Sequence, residues 1–223
     1  MLQAFLNIFK IPDLRNKVLF TLSMLVIYRI GFWIPLVGVD QTLLKESADR
    51  AMEESQTGFA RIAQFASIFS GGSLSQSTIF GLGIMPYITA SIIFQLLQTV
   101  MPQLQALKKE GASGQQKITE WTRYSTVGLC LIQGFMWLWY LRTSNLVQPQ
   151  FASGTNHIIF LVAGLTALTA GSIFLMWLGE QIDKYGIGNG VSLILTAGIL
   201  AQMPVAIQWV YSNFDPSQQA EQG

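Results

Sequence analysis

Charge is scarce along this chain. Lys, Arg, Asp and Glu make up 11% of its 223 residues, and apolar residues make up 51%. An ordinary soluble domain carries about a quarter charged residues. The shortfall means that most of the surface does not face water. The few charges also nearly cancel, leaving +1. There is thus no broad basic footprint, and a direct nucleic-acid partner is excluded.

Cysteine and histidine are scarcer still. Cys130 is the single cysteine, so the chain can form neither an internal disulfide nor a CxxC metal site. It sits in an apolar run and reads as a small buried hydrophobe. His157 has no Cys, Asp or Glu at ligand spacing, so it reads as a surface or interfacial residue and no metal or cofactor is expected. The chain lacks a Gly-x-Ser-x-Gly elbow and any evident Ser–His pairing, which removes a hydrolase nucleophile. "GLGIMP" follows no strand and lacks a third glycine, and "GIGNG" reads as a loop, so neither is a nucleotide site. The expectation is a protein that is not an enzyme.

What is present is grease in long runs. Five stretches, about 18–37, 77–101, 122–142, 157–178 and 190–211, approach the roughly 20 residues needed to cross a bilayer. No Asp or Glu lies in the middle of a run; Glu120 and Glu180 fall at the ends. Pumps and coupled transporters usually place such groups at depth, so a proton relay has little to work with. Arg29 is the one basic residue inside a run. It either packs, snorkels or faces a partner, or else belongs to a pathway.

Basic residues orient the runs. Lys10, Arg15, Lys17, Lys108, Lys109, Lys117, Arg123 and Lys184 fall on one side, against Lys45, Arg50, Arg61 and Arg142 on the other. The first side is therefore expected to be cytoplasmic, with the amino terminus there. Residues 1–17 read as an interfacial amphipathic helix, with Leu2, Phe5, Leu6 and Phe9 on one face and Pro12 ending it. Residues 212–223 read as a polar extracytoplasmic tail.

The stretch ahead of the second run is informative. Phe59, Ile62, Phe65, Ala66 and Phe69 recur at helical spacing and end at Gly71–Gly72. This is either a re-entrant helix shielded inside a bundle or an ordinary loop with an interfacial helix, and the physics favours neither. Beyond it, Gly81, Gly83 and Pro86 loosen the start of the second run. Ile84 and Ile88, and Val191 and Leu195, form two aliphatic couples spaced i,i+4. If the couples meet at one depth, they form a dry constriction that excludes ions without charge.

Three segments, "FSGGSLSQSTIFGLGIMPYITASIIFQLL", "KKEGASGQQKITEWTRY" and "FLMWLGEQIDKYGIGNGVSLI", resemble the SecY family, the channel subunit of the bacterial protein translocase. The resemblance implies an all-α membrane fold, the five-helix first half of a ten-helix channel built from inverted repeats. The chain would be a fragment, or its second half a separate polypeptide.

The resemblance also implies site residues. A plug would span about 62–75, with Phe65, Ile68 and Phe69 in it and Gly71 and Gly72 as its hinge. The pore collar would be Ile84, Ile88, Val191 and Leu195, the last two standing where isoleucine is usual. The lateral gate would involve Thr89, Ile92, Gln95 and Gln133, although buried glutamines are equally explained as packing glue. Implied partners are the small membrane subunits SecE and SecG, the SecA motor or a ribosome, signal sequences of translocating polypeptides, and membrane lipid. The loop "QALKKEGASGQQKITEW" either contributes to gripping a motor or only sets topology and meets lipid headgroups. The function implied is a gated path moving secretory polypeptides across, and membrane proteins into, the cytoplasmic membrane. Rival readings are a small-solute transporter using a broken second helix, disfavoured by the missing acids, and a structural subunit, which has no need of a Gly–Gly hinge.

Overall fold

The computed structural model describes residues 11–44, 46, 77–151 and 154–213. Six α-helices account for most of them: α1 (Pro12–Gly31), α2 (Met85–Val100), α3 (Pro102–Lys109), α4 (Ala112–Thr143), α5 (Thr155–Tyr185) and α6 (Gly190–Asn213). Among the described residues there is no strand, only two isolated bridges, so the all-α expectation holds.

Local chemistry explains the boundaries. α1 opens on Pro12, whose missing N–H costs nothing at a helix start, and Asp13 complements the positive end of the dipole. Helix therefore runs through residues 12–17, which the sequence assigned to an interfacial segment; residues 1–10 of that segment, and the tail beyond 213, lie outside the described residues. Arg29 sits in the last turn of α1, exposed, with its guanidinium 5.7 Å from the Phe32 ring centroid. A cation there meets the negative end of the dipole and a ring face.

α2 differs most from expectation. Residues 77–84 form turns, and helix begins only at Met85. Ser77 has φ +41° and Gly83 φ +60°, a backbone that a continuous helix does not allow. α3 is a short helix where the sequence suggested loop, and α4 begins at Ala112, ten residues before the expected run.

α5 is the hub, packing against α1, α2, α4 and α6. Leu168, Leu175, Leu178 and Ile182 along it are fully buried. Cys130 of α4 is also fully buried, as expected of a small hydrophobe. One apolar cluster gathers Leu36, Val39, Leu138, Leu141, Val147 and Phe160 where the loops after α1 and α4 meet. Backbone bonds lock these loops together: Asp40 N–H donates to Leu146 O (3.0 Å) and Gln148 N–H to Gly38 O (3.0 Å). The turn segment joins the same end, with Leu36 N–H donating to Ser77 O at 2.8 Å and Ile79 N–H to Ile34 O at 3.1 Å.

By length and composition, Asn156–Tyr185 is the one described helix able to cross a bilayer; Met85–Val100 and Gly190–Pro204 are shorter apolar helices. α1 nevertheless shows Leu19, Leu22, Val26 and Ile30, all more than half exposed, along one face.

Candidate pore and gate residues

The turn segment 77–84 is threaded through the bundle by missing side chains. A Cβ on Gly31 of α1 would overlap the Phe80 ring, and one on Gly171 of α5 would overlap the Ile79 carbonyl. Two helices thus present bare backbone where this segment passes between them. Phe80, 3% exposed, is clasped there, edge-on to Phe32 and stacked on Phe174 at 6.0 Å.

The passage delivers Ile84 to the start of α2. Its carbonyl accepts the Ile88 N–H at 3.1 Å, so the couple is stacked as the spacing required. On the other side, α5 and α6 approach at backbone distance. A Cβ on Gly190 would overlap the Gly179 carbonyl, and the turn between the helices is held by Gly190 N–H donating to Asp183 Oδ1 at 2.6 Å. That contact sets Val191 against α5. The outcome is one apolar cluster in which Ile84, Ile88, Val191 and Leu195 all take part, with Tyr28, Phe80, Leu175, Leu178, Ile182 and Ile194 behind them. Ile84 is buried; the other three keep part of their surface open.

The gate candidates are less unified. α2 turns Pro86, Ala90 and Phe94 inward, while Ile92 is half exposed and Gln95 exposed. The Thr89 hydroxyl donates to Met85 O of its own helix at 3.0 Å. Gln133 is half-buried on α4, and among the described residues no hydrogen bond joins it to the other three. Phe65, Ile68, Phe69, Gly71 and Gly72 lie outside the described residues.

Sequence reasoning passed over the polar contacts at the opposite end from the locked loops. Arg123 of α4 donates from Nε and Nη2 to the two carboxylate oxygens of Glu180 on α5, at 2.8 and 2.7 Å. The Thr21 hydroxyl of α1 donates to Lys17 O at 2.9 Å and accepts the Ile187 N–H at 3.1 Å. The signal was in view: "TRY" and "GEQID" place opposite charges at the ends of consecutive runs.

A family model described as SecY matches residues 78–221. The chain belongs to the SecY family. It is 46% identical over 211 residues to the protein translocase subunit SecY of Streptomyces coelicolor, covering 93% of this chain and 47% of that relative. It is 41% identical to the Thermotoga maritima subunit, covering 95% and 48%. The chain therefore spans about half the length of the curated relatives it matches, as the half-channel resemblance implied. Two solved structures, Sec61 in the canine ribosome-channel complex from the endoplasmic reticulum and a protein-conducting channel, share the fold. Each has TM-score 0.55 and 21% identity, over 87% of this chain and 40% of the other.

Proposed function

We propose that this chain forms one half of a gated protein-conducting channel, carrying secretory polypeptides across, and membrane proteins into, the cytoplasmic membrane of a bacterium. The single observation that carries the reading is the convergence of Ile84, Ile88, Val191 and Leu195 in one apolar cluster. Three of them keep open surface, and branched aliphatic side chains around a narrow waist repel water and hold back ions without any fixed charge.

In this reading α1, α2, α4, α5 and α6 are five spans and residues 62–75 are the displaceable plug. Support for the bilayer comes from the outward apolar face of α1 and from exposed aromatics at both ends, Trp33 and Trp139 at one, Trp121 and Tyr124 at the other. The amino terminus is cytoplasmic, where Arg15, Lys17, Lys108, Lys109, Lys117 and Lys184 gather. Thr89, Ile92, Gln95 and Gln133 line the side exit toward lipid. Nothing is catalysed; a SecA-type motor or a ribosome supplies the energy, SecE- and SecG-type subunits complete the assembly, and a signal sequence opens it.

The test uses the chain assembled with its complementary half in a planar bilayer. Ile84→Ser with Ile88→Ser is expected to raise resting ion conductance severalfold over wild type. Unchanged conductance removes the collar assignment.

A further inference from the structure

Residues 77–84 are held in an unfavourable path. Ser77 stands at φ +41°, a left-handed backbone that a side chain disfavours. The Ser77 and Thr78 hydroxyls are buried with no hydrogen-bond partner among the described residues, and an unpaired buried polar group opposes the fold. The surrounding contacts must therefore hold the segment in place. Upstream, the Ser77 carbonyl and the Ile79 N–H are tied to the loop after α1. Downstream the hold is by packing.

Three buried side chains alternate there. Leu82 joins the apolar cluster beneath the locked loops, whereas Phe80 and Ile84 join the cluster in which Val191 and Leu195 take part. The Phe80 ring is the larger anchor. It fills a notch walled by the bare backbones of Gly31 and Gly171, with Phe32 edge-on at 5.9 Å and Phe174 stacked at 6.0 Å. A smaller side chain leaves a void in that notch.

A short, closed path couples the ring to Ile84. The Phe80 carbonyl accepts the Gly83 N–H at 2.7 Å, Gly83 turns the chain at φ +60°, and Ile84 follows as the residue that caps α2. The Ile84 carbonyl then accepts the Tyr87 and Ile88 N–H groups, both at 3.1 Å. The seat of the ring thus fixes where Ile84 and Ile88 stand.

We propose that Phe80 is a positioning residue for the resting channel: its ring, seated in the Gly31–Gly171 notch, holds Ile84 and Ile88 at the waist, and loss of the ring opens the waist with every waist residue intact. The proposal rests on the collar reading. It adds that closure is set outside the waist, by an aromatic anchor only 3% exposed.

The test uses the chain assembled with its complementary half in a planar bilayer, and reads resting ion conductance beside the thermal midpoint in detergent. Phe80→Ala is expected to raise conductance severalfold over wild type. Phe80→Leu, which keeps an apolar side chain in the notch but loses the ring contacts, should raise it less. Phe160→Ala is the control, a phenylalanine of the other cluster that is buried to the same degree and packed against Phe151. It should lower the midpoint as Phe80→Ala does and leave conductance at the wild-type level, a split that a merely structural role of Phe80 does not produce. Added to Ile84→Ser with Ile88→Ser, Phe80→Ala should give little further leak, because it acts through those two side chains. Wild-type conductance in both Phe80 variants, while the serine pair leaks, overturns the positioning role and leaves the collar reading intact. An equal leak from Phe160→Ala, or a leak from Phe80→Ala that adds in full to that of the serine pair, does the same. If the alanine variant does not assemble, the leucine variant decides by the same criteria. A serine pair that does not leak overturns the collar reading and the positioning role with it.

Discussion

Gly31 and Gly171 show how much a single hydrogen can decide. Each stands where a Cβ would overlap the threaded segment, on the Phe80 ring or on the Ile79 carbonyl. A ring end can swing, but a backbone carbonyl cannot. Gly171→Ala is therefore expected to cost more than Gly31→Ala, about 1–3 kcal/mol as overpacking, read as a drop in thermal midpoint in detergent. Gly128 is the control. It is a glycine inside α4 with open space around it, so Gly128→Ala should stabilise by about 0.5–1 kcal/mol. Neither clash was legible in the sequence, because it depends on which helix faces which. The loop-forming character of Gly81, Gly83 and Pro86 was legible; the partner glycines that receive the loop were not. Asp40 adds a pH dependence at this scale. The Thr42 hydroxyl first, then the Thr42 and Leu43 N–H groups, hold its carboxylate below the usual range. A lowered native value means stability that is complete above about pH 4, the unfolded value, and is lost as the pH falls through the native one. Between about pH 6 and pH 3 the wild type should lose more of its thermal midpoint than Asp40→Asn, which no longer ionises. Parallel curves would remove the assignment.

α4 and α5 are joined by contacts of two kinds. Along most of their length small residues let the helices close: Gly134 beside Leu165, Gly164 beside Leu138, with Cys130 and Thr126 fully buried. At one end the Arg123–Glu180 chelate takes over. Its side chains are 45% and 21% exposed, so solvent screens it and the pair is worth about 1 kcal/mol or less. A double-mutant cycle with Arg123→Ala and Glu180→Ala should return a coupling of that size, and about 1 M salt should diminish it. A coupling near zero at low salt would mean that the two oxygens are held by water instead. The same two helices show where sequence reading of elements succeeds. α5 was expected over 157–178 and spans Thr155–Tyr185, because an uninterrupted apolar run has no other way to satisfy its backbone. α4 was read from its apolar part alone, so the polar opening turns from Ala112 were missed. Residues such as Gln115, Gln116 and Lys117 form helix readily but give no hydropathy signal. α3 escaped for the same reason, and α2 was drawn too long because apolar content was taken for helix through 77–84.

At the scale of the molecule, the fold divides labour between its two ends. The loops after α1 and α4 and the threaded segment are tied by backbone bonds into a rigid cap, whereas the far end depends on side-chain pairs and overhanging helices. At that far end Tyr87 packs against the aliphatic cluster and also lines a polar recess beside Arg123 and Glu180. The family and the all-α class were legible because three motifs lie in order along the chain. The four aliphatic residues proposed as a collar were legible as residue types, and their convergence in one cluster depended on the Gly179–Gly190 contact that brings α6 onto α5. If the collar is sealed from the capped end by a plug, a residue of the 62–75 segment must rest within reach of it. The chain offers a clean probe, because its one native thiol, Cys130, is fully buried and should not react. In the assembled channel, the double variant Ile68→Cys with Val191→Cys is expected to be joined by a short bifunctional thiol reagent in the resting state. The yield should fall once a polypeptide occupies the pore. A plug that lies instead on the outer lipid surface would leave the introduced thiol at position 68 reactive toward membrane-phase reagents and unlinked to position 191 in either state. That result would leave the aliphatic waist to seal the channel alone.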